Sequence, residues 1–293
     1  MFGYFKKLRA AGVLGINERV GRYILPLNER KFFPLVDDKV LTEKRAKELN
    51  VPMPRNYFVV SENFHLKSLE SEIRKLDSFV IKPSCGAMGN GIILITKIEK
   101  TDNSVLCYNP SGKKFTLRDI SQHISGILSG LYSLSGNSDK AMIQELIFCH
   151  DIFDRFSYKG IPDVRVIVHK GVPVMAMTRL PTKESDGKAN LHQGAIGCGI
   201  DLKTGRVNYG VHKDVPITHH PDTGVDIQEL VIPYWDTILE MAANCYKMAH
   251  LGYLGADIIL DQQRGPMLLE VNARPGLAIQ TANKCGLLNV LEK

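Results

Sequence analysis

The sequence predicts an α+β fold built on antiparallel sheets, and three observations predict it. DVRVIVHKGVPVMAMTRL (163–180) is two β-rich runs around a Lys170–Gly171 turn. GADIILDQQRGPMLLEVN (255–272) repeats that design with QQRG as its turn. Helical periodicity falls elsewhere, over 39–49, 117–131 and 225–250. Strands that return on themselves beside segregated helices argue against a regular βαβ winding.

Taken in order, the chain opens on Phe2, Phe5 and Leu8 at helical spacing among Lys6, Lys7 and Arg9, which predicts a short amphipathic helix. Such a helix either docks on the body of the protein or meets a membrane surface or partner. Residues 39–49 form a helix that must end before Pro52, because proline restricts the residue ahead of it. YFVV (57–60) and FVIK (79–82) read as strands with a helix between them. GIILIT (91–96) and SVLCY (104–108) suggest a hairpin.

Composition bounds the function. A hydrophobic share of 44% fills a sizeable core, so a disordered or fibrous chain is excluded. No apolar run approaches the roughly 18 residues of a membrane span. The basic N-terminus also lacks a signal peptide's apolar region, so a cytoplasmic protein is expected. The six cysteines are scattered without a CxxC pair, which removes zinc-ribbon and thioredoxin-like readings. A net charge of +6 suits an anionic ligand. The basic residues are not interleaved with aromatics in any nucleic-acid module, so no nucleic-acid partner is expected.

Three groups of residues carry chemistry. In FVIKPSCGAMGNGI (79–92) a strand ends in Lys82 and a loop with Gly86, Gly89 and Gly91 follows. Glycines bring backbone N–H groups against phosphate oxygens, and Lys82 adds a cationic head. A strand follows the loop, so P-loop and Rossmann contexts fail. A glycine-rich hairpin over a phosphate remains, beside a merely structural hairpin.

Glu270 and Asn272 lie two apart and leave one face of a strand, with Asp257 on the preceding strand. Three oxygen ligands, two of them anionic, suit Mg²⁺ or Mn²⁺ rather than zinc; a surface hairpin with solvated polar ends is the alternative. Arg165, Arg179, Lys188, Asn190, His192 and Arg274 form a basic and amide set fit to brace a γ-phosphate, although single arginines commonly serve surface ion pairs. Residues 181–197, polar and punctuated by glycine, suggest a mobile lid.

In this order the motifs resemble the ATP-grasp superfamily, and within it the RimK-type α-L-glutamate ligases, over residues 35–285. VDDKVLTEKRAKELNVPMP is similar to the opening helix that supplies a first nucleotide lysine, here Lys39. IQELI (143–147) resembles the hinge whose backbone meets adenine, which implies Gln144, Glu145, Leu146 and Ile147, with Glu145 near the base or ribose. DVRV and TRL resemble the family hairpin at Asp163, Arg165 and Arg179, and KANLHQGA (188–195) resembles the ligases' RxNLHxGG segment. GADIIL and LLEVNARPGL resemble the metal strands.

The resemblance implies an ATP-grasp fold, two α+β subdomains gripping Mg-ATP behind a short N-terminal helical cap. Residues 1–36 would be the cap and 37–293 the ATP-grasp domain, its lid or central part over about 50–145 and its metal-binding part over about 146–293. It implies ADP-forming carboxylate–amine ligation through an acylphosphate, with an amino acid as carboxylate and a peptide, protein or small molecule as amine acceptor. Lys39, Lys82 and the loop from Ser84 to Gly91 would cover the triphosphate. Arg179, Arg165 and Arg274 would stabilise the transferred phosphoryl group, and Asn190 and His192 would orient nucleotide or intermediate. An ATP-grasp kinase and a non-catalytic nucleotide-binding module of a membrane-proximal or glycan-synthesis assembly are the alternatives. Lys188 stands where the ligases carry arginine, and Ala195 where they carry a second glycine. Both changes touch the acceptor side, so the resemblance implies ATP use and leaves the acceptor open.

Overall fold

Residues 2–86, 89–133 and 136–292 are described by the computed structural model. Ala87 and Met88 of the glycine-rich loop, and the side chains of Phe2 and Phe5, lie outside the described residues. Contacts divide the chain into two units, one of Asp38–Val40 and Pro54–Ile147, the other of Met1–Asp37, Leu41–Met53 and Phe148–Lys293. All strand pairings are antiparallel among the described residues.

The smaller unit holds β1 (Asn56–Val60), β2 (Phe79–Pro83), β3 (Ile93–Ile95), β4 (Lys97–Lys100), β5 (Val105–Tyr108), β6 (Lys114–Thr116) and β7 (Ala141–Gln144). They form a sheet ordered β1-β7-β2-β3 and a second ordered β4-β5-β6. The expected hairpin of 91–96 with 104–108 is corrected. Ile95 pairs with Phe79 of β2, and Val105–Tyr108 returns through the tight Thr101–Ser104 turn onto Lys97–Lys100. The helix Leu117–Leu128 starts at a capping box of Thr116 and Asp119 and lays Ile120, Ile124 and Ile127 on the core.

The larger unit is a seven-stranded sheet ordered β12-β11-β10-β9-β8-β13-β14. Its strands are β8 (Asp163–His169), β9 (Val172–Leu180), β10 (Ile196–Ile200), β11 (Val207–His212), β12 (Val215–Ile217), β13 (Tyr253–Asp261) and β14 (Gly265–Asn272). Lys170 and Gly171 both take positive φ at the first hairpin turn, as a two-residue turn matching the strand twist requires. At the second turn the Asp261 carboxylate accepts from the Gln263 and Arg264 amides. The periodicity over 225–250 yields only the helix Trp235–Ala249, because Pro233 and a 3₁₀ turn at Ile227–Glu229 precede it.

One sheet face, with Val164, Val166, Ala256 and Ile258, packs on that helix through Ile238, Ala242 and Cys245. The other carries Ile167, Met175, Met177 and Tyr253 beneath Leu14, Tyr23 and Ile24 of the N-terminal segment and Ile279, Leu287 and Leu288 near the C-terminus. Leu14, Tyr23 and Ile24 are at most 5% exposed. Burying three such side chains is worth several kcal/mol, at about 1.5–3 each, so this segment is part of the sheet's core. Among the described residues no helix is long and apolar enough to cross a membrane.

Candidate functional site

The two hairpins meet through β8 and β13, and their register lines up charged residues across four strands. Asp163 faces Arg179, Arg165 faces Asp257, Asp257 faces Glu270, and Gly255 faces Asn272. Each hairpin contains one bulge. In the first, Ile167 pairs with Met175 and Val168 with Pro173, leaving Val174 as the extra residue. In the second, Ile258 pairs with Leu268 and Asp257 with Glu270, leaving Leu269. A one-residue slip sends side chains to the opposite face, so without the bulges Asp163 would face Thr178 and Asp257 would face Leu269.

The result is an ionic network. Arg165 donates to both Asp257 oxygens, from Nε at 2.7 Å and from Nη2 at 2.5 Å. Arg179 donates from Nε to Asp163 at 2.7 Å, and its Nη2 reaches both Asp163 and, at 2.8 Å, Asp257. Asp163 and Asp257 are 4% and 1% exposed. Burial alone would raise both carboxyls. For Asp257 the two guanidiniums outweigh burial and hold it well below the usual carboxylate range. For Asp163, with one guanidinium against it and Asp257 nearby, burial wins and the carboxyl is raised.

Asn272 Nδ2 donates to Asp257 Oδ2 at 3.2 Å and to Glu270 Oε1 at 3.3 Å, tying the three oxygen-bearing side chains to one point. Turning the Asn272 amide over would present its oxygen there beside the two carboxylates. Among the described residues no three of His, Cys, Asp and Glu gather as a metal cluster. Asp257, Glu270 and Asn272 offer hard oxygen donors only, few in number, a set that fits a cation keeping waters and phosphate in its shell.

Among the described residues, no hydrogen bond or ion pair ties the other residues proposed from sequence for this unit to the network. Arg274 is exposed, its guanidinium 4.8 Å from the centre of the Phe33 ring. Asn190 caps a 3₁₀ turn by accepting from His192 N at 3.0 Å, and Leu191 of that turn packs on Gly197, the strand partner of Arg179. Lys188 is exposed, with its amide on Ser185 O. The expected lid over 181–197 is more firmly built than its composition suggested. Thr182 and Ser185 are buried and bond each other, Thr182 Oγ1 donates to Gly194 O at 2.8 Å, and residues 196–197 belong to β10.

In the smaller unit, Lys82 lies on β2 opposite Met142 and is 7% exposed. Lys39 Nζ donates to Gly86 O at 2.9 Å, so the first lysine meets the glycine-rich loop. Gly86 is required because a Cβ there would stand 2.2 Å from the Pro83 ring. Gly91, at φ +75°, lies against Tyr132, and its carbonyl is 2.9 Å from His123 Nε2; Gly89 has the same φ.

The hinge is partly committed. Gln144 donates to Pro54 O and Asn56 Oδ1, while Glu145 N donates to Arg55 O and Arg55 N donates to the Glu145 carboxylate. Sequence reasoning missed Asp38 and Asp139. Asp38 accepts from Ser84 Oγ and, at 2.8 Å, from Lys140 Nζ, and burial's upward push on its carboxyl is overcome by these bonds. Asp139 accepts from Cys85 N with both oxygens at 3.0 Å. Asp38 adjoins Lys39 in sequence, a signal that was available; Asp139 offered none.

A glycine-rich hairpin with lysines in one unit, and a sheet face of arginines, carboxylates and asparagine in the other, are the parts of an ATP-grasp domain, and the fold is of that class. The chain belongs to the sugar-transfer associated ATP-grasp family, whose model matches residues 18–293. Among solved structures it is similar to a RimK domain ATP-grasp protein from Sphaerobacter thermophilus (10% identity, TM-score 0.49, 90% of this chain and 69% of that one). It is also similar to the ATP-grasp ligase PsnB complexed with minimal precursor, Mg and ADP (12%, 0.47, 91% and 62%) and to the D-cycloserine synthetase DcsG (13%, 0.47, 89% and 69%). The chain spans about 60% of the length of PsnB. No curated protein matches it.

Proposed function

We propose that the protein is an ATP-dependent, ADP-forming carboxylate–amine ligase. A substrate carboxylate oxygen attacks the γ-phosphorus and ADP leaves. The amine nitrogen then attacks the acyl carbon, loses a proton and expels phosphate, leaving an amide. Arg179 and Arg165 act on charge developing at the transferred group, where fixed donors in a water-poor site are most effective. Lys39, Lys82 and the loop around Gly86, Gly89 and Gly91 hold the triphosphate; Leu146 and Ile147 meet the base. Asn190 and His192 orient the intermediate, with Lys188 and Arg274 at the anionic groups. Asp257, Glu270 and Asn272 would hold Mg²⁺ or Mn²⁺, which supplies charge neutralisation between phosphates when bound.

The observation that carries this reading is the pair of part-buried arginines abutting the Asp257–Glu270–Asn272 set on one sheet face. A mere nucleotide sensor has no use for such a phosphoryl-transfer apparatus. The family's association with sugar transfer favours a sugar-linked amine as acceptor over a peptide or protein.

The test is ADP release from Mg-ATP across a panel of carboxylates with hydroxylamine as amine trap. ADP with hydroxamate is expected, and a fold-intact Glu270→Ala variant should produce neither. ADP without hydroxamate, in the presence of a hydroxyl acceptor that becomes phosphorylated, identifies a kinase instead. Tight ATP binding with no turnover would support a binding module of a glycan-synthesis assembly, and wild-type ATP hydrolysis by Glu270→Ala would remove the metal assignment.

A further inference from the structure

Three consecutive residues beyond Asn272 are each held by a different residue of the N-terminal segment. Asn28 Nδ2 donates to Ala273 O at 3.1 Å and to Tyr253 O at 2.7 Å, and Tyr253 N donates back to Asn28 Oδ1 at 3.0 Å. The Phe33 ring lies 4.8 Å from the Arg274 guanidinium carbon. Arg19 Nη1 donates to Pro275 O at 2.5 Å.

Asn28 is 2% exposed, so its carboxamide is satisfied by the ends of two strands and by nothing from solvent. Those ends are the first residue of β13 and the residue that follows β14, which places the clamp next to the Gly255–Asn272 pair. Arg19 lies in a π-helical turn, Arg19–Ile24, a rare form that is frequent at functional sites.

We infer that Asn28, Phe33 and Arg19 are positioning residues of the candidate site: the N-terminal segment sets where the Asn272 amide and the Arg274 guanidinium stand. The inference rests on the metal assignment made above. Groups that orient ligands from behind typically change metal affinity 10–100-fold when removed. A segment serving only as core would instead change stability and leave affinity alone.

The experiment is titration of the full chain with Mn²⁺ in the presence of ADP, read by calorimetry and by the Mn²⁺ electron spin resonance signal, for wild type, Asn28→Ala, Phe33→Leu and Phe33→Tyr. Met248→Ala, on the helix beneath the opposite sheet face, supplies a comparable loss of core stability. Asn28→Ala should weaken Mn²⁺ binding about ten-fold or more. Phe33→Leu should weaken binding of the Mn²⁺–ADP complex, and Phe33→Tyr, which keeps a ring face, should restore it. Should Asn28→Ala fail to fold, the two Phe33 variants decide. Wild-type affinity in Asn28→Ala and Phe33→Leu, or an equal loss in Met248→Ala, overturns the positioning role. A wild-type protein that binds no Mn²⁺ with ADP overturns the metal reading itself, a result distinct from either.

Discussion

Arg165 and Arg179 look equivalent in sequence, yet their replacement by methionine should have unequal costs. Methionine keeps much of the aliphatic length, so the loss is mainly of charge and hydrogen bonds. Arg179→Met strips the Asp163 carboxylate, 4% exposed, of the guanidinium that binds both its oxygens, and also takes one donor from Asp257. Removing one partner of a buried pair costs about 3–5 kcal/mol. Arg165→Met leaves Asp257 still bonded by Arg179 and Asn272 and should cost about 1–2 kcal/mol. The gap of about 2 kcal/mol is some thirty-fold in an unfolding equilibrium.

The assay is urea unfolding followed by the fluorescence of Trp235, the single tryptophan, which lies in the same unit as the network. Asp163→Asn placed in the Arg179→Met background should recover part of the loss, because it removes the orphaned charge. Equal costs for the two arginine variants, or strict additivity of Arg179→Met with Asp163→Asn, would refute the network as described.

Two further outcomes follow from single residues. Gly89→Ala and Gly91→Ala both force alanine to φ +75°, at about 1–2 kcal/mol. Only at Gly91 does the new Cβ fall 2.6 Å from Tyr132, so Gly91→Ala should raise the KM for ATP more, and equal effects would argue against a shaped loop. His220 is 1% exposed, and burial lowers its pKa despite its bond with Pro181 O. The unfolded chain then binds the extra proton first, so stability is full above about pH 6.5 and falls as pH drops below it. His220→Asn should flatten that slope in melts compared between pH 7.5 and 5; an unchanged slope would clear His220 of the effect.

Much of the fold was legible because its signals are local. A Lys-Gly or QQRG turn between alternating runs announces a hairpin, and Glu270 and Asn272 share a face by their spacing alone. The glycine-rich hairpin read correctly as a loop between strands, although the next pairing did not. Ile93–Ile95 has the same alternation whether it joins β2 or β5, and only the competing hairpin of Lys97–Lys100 decides. Asn28, Asp139 and Phe33 were illegible for another reason. Each acts on a partner dozens to hundreds of residues away, and a lone carboxamide, carboxylate or ring in a helical or loop segment looks the same with or without that partner.

The two bulges mark the limit most sharply, because they decide the site and leave almost no trace in the sequence. Simple hairpins closed at Lys170–Gly171 and at residues 262–264 would put Arg179 on the opposite face from Asp163, and Glu270 on the opposite face from Asp257. A single extra residue in each hairpin, Val174 and Leu269, brings all four charges to one face while the turn-proximal strands keep their apolar residues in the core. Pro173, which cannot donate to the ladder, is the one hint in the first hairpin; the second, within the run MLLEVN, has none. A long ladder that is regular at its turn and shifted by one residue toward its far end can hold a hydrophobic core at one end and an ionic network at the other. That division of labour is the physical reason the charges can be gathered without unpairing the strands that carry them.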